Sequence, residues 1–259
     1  MVSRILIALF GIPLVYFILI SGSLSRLIFF ITAGFVGQYE LFRIIDVNKP
    51  SKNYLVEYFL GISILLAANY GGERGLLLSL AFSQLVLACA ELLRGVNGEN
   101  WHRFSHGAMS LLYLQFCLAF FVILGNRLEG KVVFSIFVSI WAVDTGAYII
   151  GSLLGGPKLA PKISPKKTIS GAVGGGSLGI LSVWMLNNMG IFQLSTKRMW
   201  GLAIGVSIIS QISDLFESLL KREGHVKDSG AILAGHGGML DRLDSILFIG
   251  PFSYLLLVK

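Results

Sequence analysis

Long apolar runs follow one another along this chain with only short polar breaks, and no other feature constrains its fold as tightly. Nine runs lie at about 4–21, 26–45, 54–70, 75–93, 107–125, 132–154, 171–189, 199–220 and 242–258. Each is near the ~17–25 residues that a helix needs to cross the hydrocarbon core. Hydrocarbon offers a backbone no hydrogen-bond partners, so segments of this length are expected to be helices. The predicted fold class is all-α, a polytopic transmembrane protein with about nine spans. Charge agrees, since only 14% of the 259 residues are charged against about 25% in a soluble domain. With no internal repeat or long linker, 1–259 reads as a single membrane domain. It divides into an N-terminal helical part, 1–130, and a C-terminal part, 131–259, that carries the two most polar loops.

The first run follows Arg4 like a signal peptide, but it is longer than the ~7–15 residues of such an apolar region. It is expected to remain as the first helix. Cys89 and Cys117 lie in separate apolar runs and are expected to be inert packing rather than a disulfide or metal site. The net charge of +7 comes from basic residues spread through short loops. That pattern argues against nucleic acid and toward membrane lipid headgroups and phosphate-bearing substrates.

Loop charge also predicts orientation. With the N-terminus inside, the inner segments carry Arg4, Arg43, Lys49, Lys52, Arg94, Arg103, Lys158, Lys162, Lys166, Lys167, Lys221, Arg222, Lys227 and Arg242. The outer segments carry half as many: Arg26, Arg74, Arg127, Lys131, Lys197, Arg198 and Lys259. The positive-inside rule then places the N-terminus in the cytoplasm and the C-terminus outside. The two most polar loops, 155–170 and 221–242, fall together on the cytoplasmic side.

Three stretches concentrate the chemistry. Asp144 sits inside the sixth span with Tyr148 and Gly151 on the same helical face, and a carboxylate at that depth needs a partner or a cation. The second stretch runs from Lys158 through Ser164, Lys166, Lys167 and Thr168 to a glycine-rich helix entry. Its lysines suit phosphate oxygens, and Thr168 or Ser170 is placed to cap the following helix. Its glycines also permit close helix contact, of the kind a homodimer uses. In the third stretch, Asp214, Glu217, Ser218 and Lys221 share one face of the eighth helix, and Asp241 and Asp244 share a face at the start of the ninth. Carboxylates aimed at one pocket repel unless a cation sits among them. Hard oxygen ligands without a Cys or His cluster point to Mg2+ rather than zinc, with a second mono- or divalent cation as a further expectation.

At these residues the chain resembles the phosphatidate cytidylyltransferases, also called CDP-diacylglycerol synthases. Ser218, Lys221, Arg222, Lys227, Asp228, His236, Gly237, Gly238, Asp241, Arg242 and Asp244 match that family's C-terminal signature at its spacing. Asp144-Thr145 with Tyr148 and Gly151, and Ser164-Pro165 with Lys167-Thr168, are also similar to it. Ala234, Ser213 and Ile169-Ser170 depart from the usual pattern.

The resemblance implies transfer of CMP from CTP to phosphatidic acid, giving CDP-diacylglycerol and pyrophosphate at the cytoplasmic face of a bacterial-type inner membrane. Asp214, Asp241 and Asp244 are then expected to hold the metal, with Asp144 and Glu217 in support. Lys166, Lys167, Lys221, Arg222 and Lys227 are expected to hold phosphate, and His236 with Gly237 and Gly238 to shape the loop. A CTP-dependent lipid kinase, or a cytidylyltransferase for another lipid phosphate, is the neighbouring alternative. A coupled transporter is more distant, because transporters commonly show two similar halves and here the polar residues crowd into one. A pure scaffold would leave the intramembrane carboxylates without a purpose.

Overall fold

The computed structural model describes residues 2–46, 54–230 and 237–258, with side chains from Phe10 onward. Ten α-helices, one π-helical turn and a small hairpin occur among them. In order they are α1 (Val2–Ile20), α2 (Ser23–Ile45), α3 (Leu55–Arg94), α4 (Asn100–Ser110), the π turn (Leu111–Phe116), α5 (Cys117–Leu128) and α6 (Gly130–Leu154). They continue with β1 (Lys158–Ala160), β2 (Ser164–Thr168), α7 (Ile169–Asn188), α8 (Thr196–Glu223), α9 (Leu240–Leu243) and α10 (Ile249–Leu257).

Among the described residues, six helical stretches are long and apolar enough to cross a membrane: α2, α3, the α4–α5 unit, α6, α7 and α8. The chain is therefore an all-α, multi-pass membrane protein, and the expected nine is an approximate count. One of the six stands for two predicted spans. At Gly72, φ 56° and ψ −141° break the helical path of α3, a left-handed backbone that suits glycine. Glu57 and Leu87, equidistant from that bend, both border Gly107, whereas a straight helix would hold them about 45 Å apart. α3 is thus a helical hairpin. The last predicted span is interrupted instead, with turns between α9 and α10.

A buried amide network ties the N-terminal helices together. Gln38 donates to Glu57 O (3.1 Å) and Ser110 Oγ (3.0 Å), and Gln115 of the π turn donates to Gly34 O (3.1 Å) and Gln38 Oε1 (3.0 Å). These hydrogen bonds make the two amides tolerable at this depth, with Gln115 Oε1 the one amide atom of the pair left without a partner among the described residues. The π turn also directs Tyr113 edge-on against Phe216 and Phe248, joining the N-terminal half to the helices that carry the acidic residues. Cys89 is an exposed free thiol and Cys117 a buried one.

The tightest helix pairing is antiparallel, between α6 and α7, and glycine creates it. A Cβ at Gly171 would lie 2.8 Å from Ala147 O, and one at Gly175 2.6 Å from Val143 O. Backbone therefore meets backbone, as small residues at helix interfaces allow in lipid. This contact fixes the height of Asp144 relative to the start of α7. Gly176, on another face, leaves a Cβ only an ordinary contact at 3.9 Å with Ser207. Gly175→Ala is expected to destabilise the protein by about 1–3 kcal/mol through overpacking, while Gly176→Ala stays near wild type. Thermal unfolding of the two purified variants in detergent checks this contrast.

Candidate active site

A cavity of about 510 Å³ opens where α6, the β hairpin, α7, α8 and α9 converge. Asp144, Asp214, Asp241, Asp244, Lys166, Lys167 and Thr168 all line it, with Tyr148, Gly151, Gln211 and Ser245. Residues from both halves of the 131–259 stretch thus meet in one place. The helical face read from Asp144, Tyr148 and Gly151 turns toward this cavity.

The hairpin is built antiparallel, with Lys158 opposite Thr168 and Ala160 opposite Ser164. It hands directly into α7, whose first turn is capped by Thr168 Oγ1 accepting from Gly171 N at 3.1 Å. The cap satisfies one of the N–H groups that a helix start leaves free. Ser170 Oγ turns back to donate to Gly155 O. This polar junction brings Lys166 and Lys167 to the cavity wall.

Lysines separate the carboxylates. Lys167 pairs with Asp214 across the cavity. Lys221, nearly buried, lies between Glu217 on its own helix and Asp241, whose Oδ1 is 2.6 Å away. Asp241 Oδ2 accepts from Ser229 N at 3.0 Å and Gly238 N at 2.8 Å. Burial works to raise the Asp241 carboxyl, but Lys221 and these N–H donors outweigh it and hold Asp241 below its ordinary value. Asp244 is supported differently. Ser245 N donates to Asp244 Oδ1 at 2.6 Å, and Ser245 Oγ lies 3.1 Å from Asp244 and 3.5 Å from Asp144. Ser213 Oγ, at the position that departs from the usual glycine, donates to Asp244 O.

Other predicted residues are placed apart from the lining. Arg222 Nε donates to Ile163 O at 3.2 Å, so this side chain ties the hairpin to the end of α8. Glu217 is fully buried behind the cavity as the partner of Lys221. Lys227, Asp228 and Arg242 are exposed beyond the lining, and Ser164 holds its place in the hairpin pairing. His236 and Ala234 lie outside the described residues. Gly237 has φ 78° and packs on Asp241, where a Cβ would fall 2.6 Å from Oδ2. That explains the need for glycine beside the carboxylate.

Glu40 and Ser229 complete the site without having been singled out in the sequence. Glu40, fully buried in α2, accepts from Met239 N at 3.0 Å and Leu240 N at 2.8 Å. The available signal was the one that marked Asp144, a carboxylate inside an apolar run.

The carboxylates suit a hard cation, since they present oxygen donors alone. No group of three or more His, Cys, Asp or Glu among the described residues makes a ready metal cage. Mg2+ does not require one, because it binds through one or two carboxylates, substrate phosphates and waters.

Comparison with known proteins agrees with this architecture. A model of the cytidylyltransferase family matches residues 2–258. The phosphatidate cytidylyltransferase of Bacillus subtilis (strain 168) is 31% identical over 264 residues, covering 99% of this chain and 97% of that protein. Its counterpart in Staphylococcus aureus (strain COL) is 31% identical over 258 residues, covering 99% and 98%. The Brucella suis biovar 1 protein of the same name is 39% identical over 191 residues, covering 71% of this chain and 66% of its own length. The chain therefore belongs to the cytidylyltransferase family.

Proposed function

We propose that this protein is a phosphatidate cytidylyltransferase that works with Mg2+. The observation carrying the proposal is the single cavity that unites four carboxylates with Lys166 and Lys167 at the ends of lipid-facing helices. Full-length similarity to proteins named for that activity supports it. A phosphate oxygen of phosphatidate forms a bond to the α-phosphorus of CTP, the bond from that phosphorus to the bridging oxygen breaks, and pyrophosphate leaves. CDP-diacylglycerol is the other product.

Both reactants are anionic, so the site must offset their repulsion and align the attack. Lys166 and Lys167 bind the triphosphate at the cavity wall. No general base is required, since a phosphate monoester is largely ionised near neutral pH. Asp214, Asp241 and Asp244, with Asp144 beside them, would hold Mg2+, and a second mono- or divalent cation would sit at the same acidic wall. The bound ion would supply charge neutralisation at the transferring phosphoryl group. Lys221 keeps Glu217 and Asp241 close together and fixes the direction of the Asp241 carboxylate. The cavity faces the cytoplasm, where CTP is found, in a bacterial-type inner membrane with the N-terminus in and the C-terminus out.

Purified protein incubated with labelled CTP, phosphatidate and Mg2+ is expected to yield CDP-diacylglycerol and pyrophosphate in equal amounts. Release of CDP with a phosphorylated lipid would identify a kinase instead. Asp241→Asn and Asp244→Asn are each expected to reduce turnover by about 100-fold or more while the protein elutes as a folded species. Near-wild-type synthesis by either would remove that carboxylate from the site. Changing Lys166 and Lys167 together to alanine is expected to raise the KM for CTP by about tenfold, the loss of about 1.4 kcal/mol of binding. A rise confined to the KM for phosphatidate would assign the hairpin to the lipid.

A further inference from the structure

We infer that Glu40, in the N-terminal half, is a positioning residue for the transfer reaction. It sets the 237–241 turn so that the Asp241 carboxylate faces the cavity. The inference rests on the cytidylyltransfer reading and adds a residue to it.

Glu40 is fully buried, and both of its carboxylate oxygens are used. Oε1 accepts from Met239 N at 3.0 Å, while Oε2 accepts from Leu240 N and from Ser229 Oγ, each at 2.8 Å. Two of these donors are backbone N–H groups at the entry to α9, where a helix start leaves N–H groups without partners. A negative charge is favoured there by the helix dipole, but α9 spans only Leu240–Leu243, so the direct hydrogen bonds dominate.

Ser229 joins this anchor to the cavity. Its Oγ is also 3.0 Å from Asp241 Oδ2, and it accepts from Asp241 N at 3.3 Å. The one Ser229 hydroxyl proton is therefore within hydrogen-bond reach of two carboxylates, which links the placement of Asp241 to that of Glu40. Asp241 Oδ2 is further held by Ser229 N and Gly238 N, which leaves Oδ1 for Lys221.

Neighbouring glycines mark how closely these parts approach. A Cβ at Gly230 would lie 2.9 Å from Glu40 Cδ, and one at Gly238 would collide with both Glu40 and Ser229. Gly238 lacks a side chain because the Glu40 carboxylate occupies that space. A generic helix-to-helix contact would not need two glycines, a serine and two backbone donors arranged around one carboxylate that meets Asp241 through a single atom. Groups that orient a ligand-bearing side chain commonly affect activity by about 10–100-fold.

The test uses the full-length protein in detergent carrying Glu40→Gln, which preserves shape but replaces one acceptor oxygen with an NH2 group. Hydrogen–deuterium exchange over residues 237–245 is measured together with steady-state kinetics, and wild type is run alongside. Exchange is expected to accelerate in that turn while α6, α7 and α8 exchange as in wild type. In the same variant kcat is expected to fall about 10–100-fold, with the KM for CTP changed by less than about threefold. Ser229→Ala should show the same pattern, and the double variant should be no worse than Glu40→Gln, because both act through one junction. Faster exchange with wild-type kcat would make Glu40 a structural anchor only and overturn the inference. Unchanged exchange would show that the junction does not hold the turn, and would overturn it equally. If Glu40→Gln does not fold, Ser229→Ala decides by the same criteria. Absence of cytidylyltransfer would appear in the wild-type protein and leave the exchange readout intact, so the two failures are distinguishable.

Discussion

Like charges held near 4 Å in a medium of effective dielectric about 20 repel by about 4 kcal/mol, and this site gathers Asp144, Asp214, Asp241 and Asp244 around one cavity. In a chain whose helices otherwise face lipid, that repulsion would force the helices apart unless cations divided the acids. Lys167 and Lys221 do so, one from the hairpin and one from α8. Serine hydroxyls and backbone N–H groups complete the screening at Asp241 and Asp244. The arrangement keeps four carboxylates together on one cavity wall.

The scaffold delivers these groups from distant parts of the sequence. Glycine-mediated contact between α6 and α7 sets Asp144 beside the hairpin. Arg222 then ties that hairpin to the end of α8, so the two polar loops touch at one end of the bundle. At the other end, Arg127 pairs with Glu73 at 2.9 Å beside the α3 bend, and Tyr254 donates to Glu73 at 2.5 Å. Arg26 reaches Leu19 O and Asn126 nearby. Polar contacts thus tie the bundle at both ends, with the Gln38–Gln115 network between them.

Much of this was readable from the sequence because lipid leaves few alternatives. Long apolar runs become helices, and a carboxylate inside one, such as Asp144, announces itself. Spacing on α8 put Asp214, Glu217 and Lys221 on one face, but it did not say that Glu217 is buried behind Lys221 while Asp214 reaches the cavity. Arg222, expected from its neighbours in the motif to hold phosphate, donates through Nε to the hairpin backbone at Ile163 O, a contact that spacing along the chain does not announce. No local pattern links Glu40 to residues about 200 positions later; only tertiary packing brings α2 to the 237–241 turn. Motif density draws attention to 131–259, while Glu40 of the N-terminal part hydrogen-bonds to backbone N–H groups of Met239 and Leu240.

The proposed mechanism brings nucleotide and metal together in the acidic cavity. Its most direct test is an experimental structure of the protein with Mg2+ and a non-reactive CTP analogue. The triphosphate is expected between Lys166, Lys167 and the carboxylates of Asp214, Asp241 and Asp244, which would hold the ion. Nucleotide bound elsewhere, with those aspartates still paired only to lysine and serine, would contradict it.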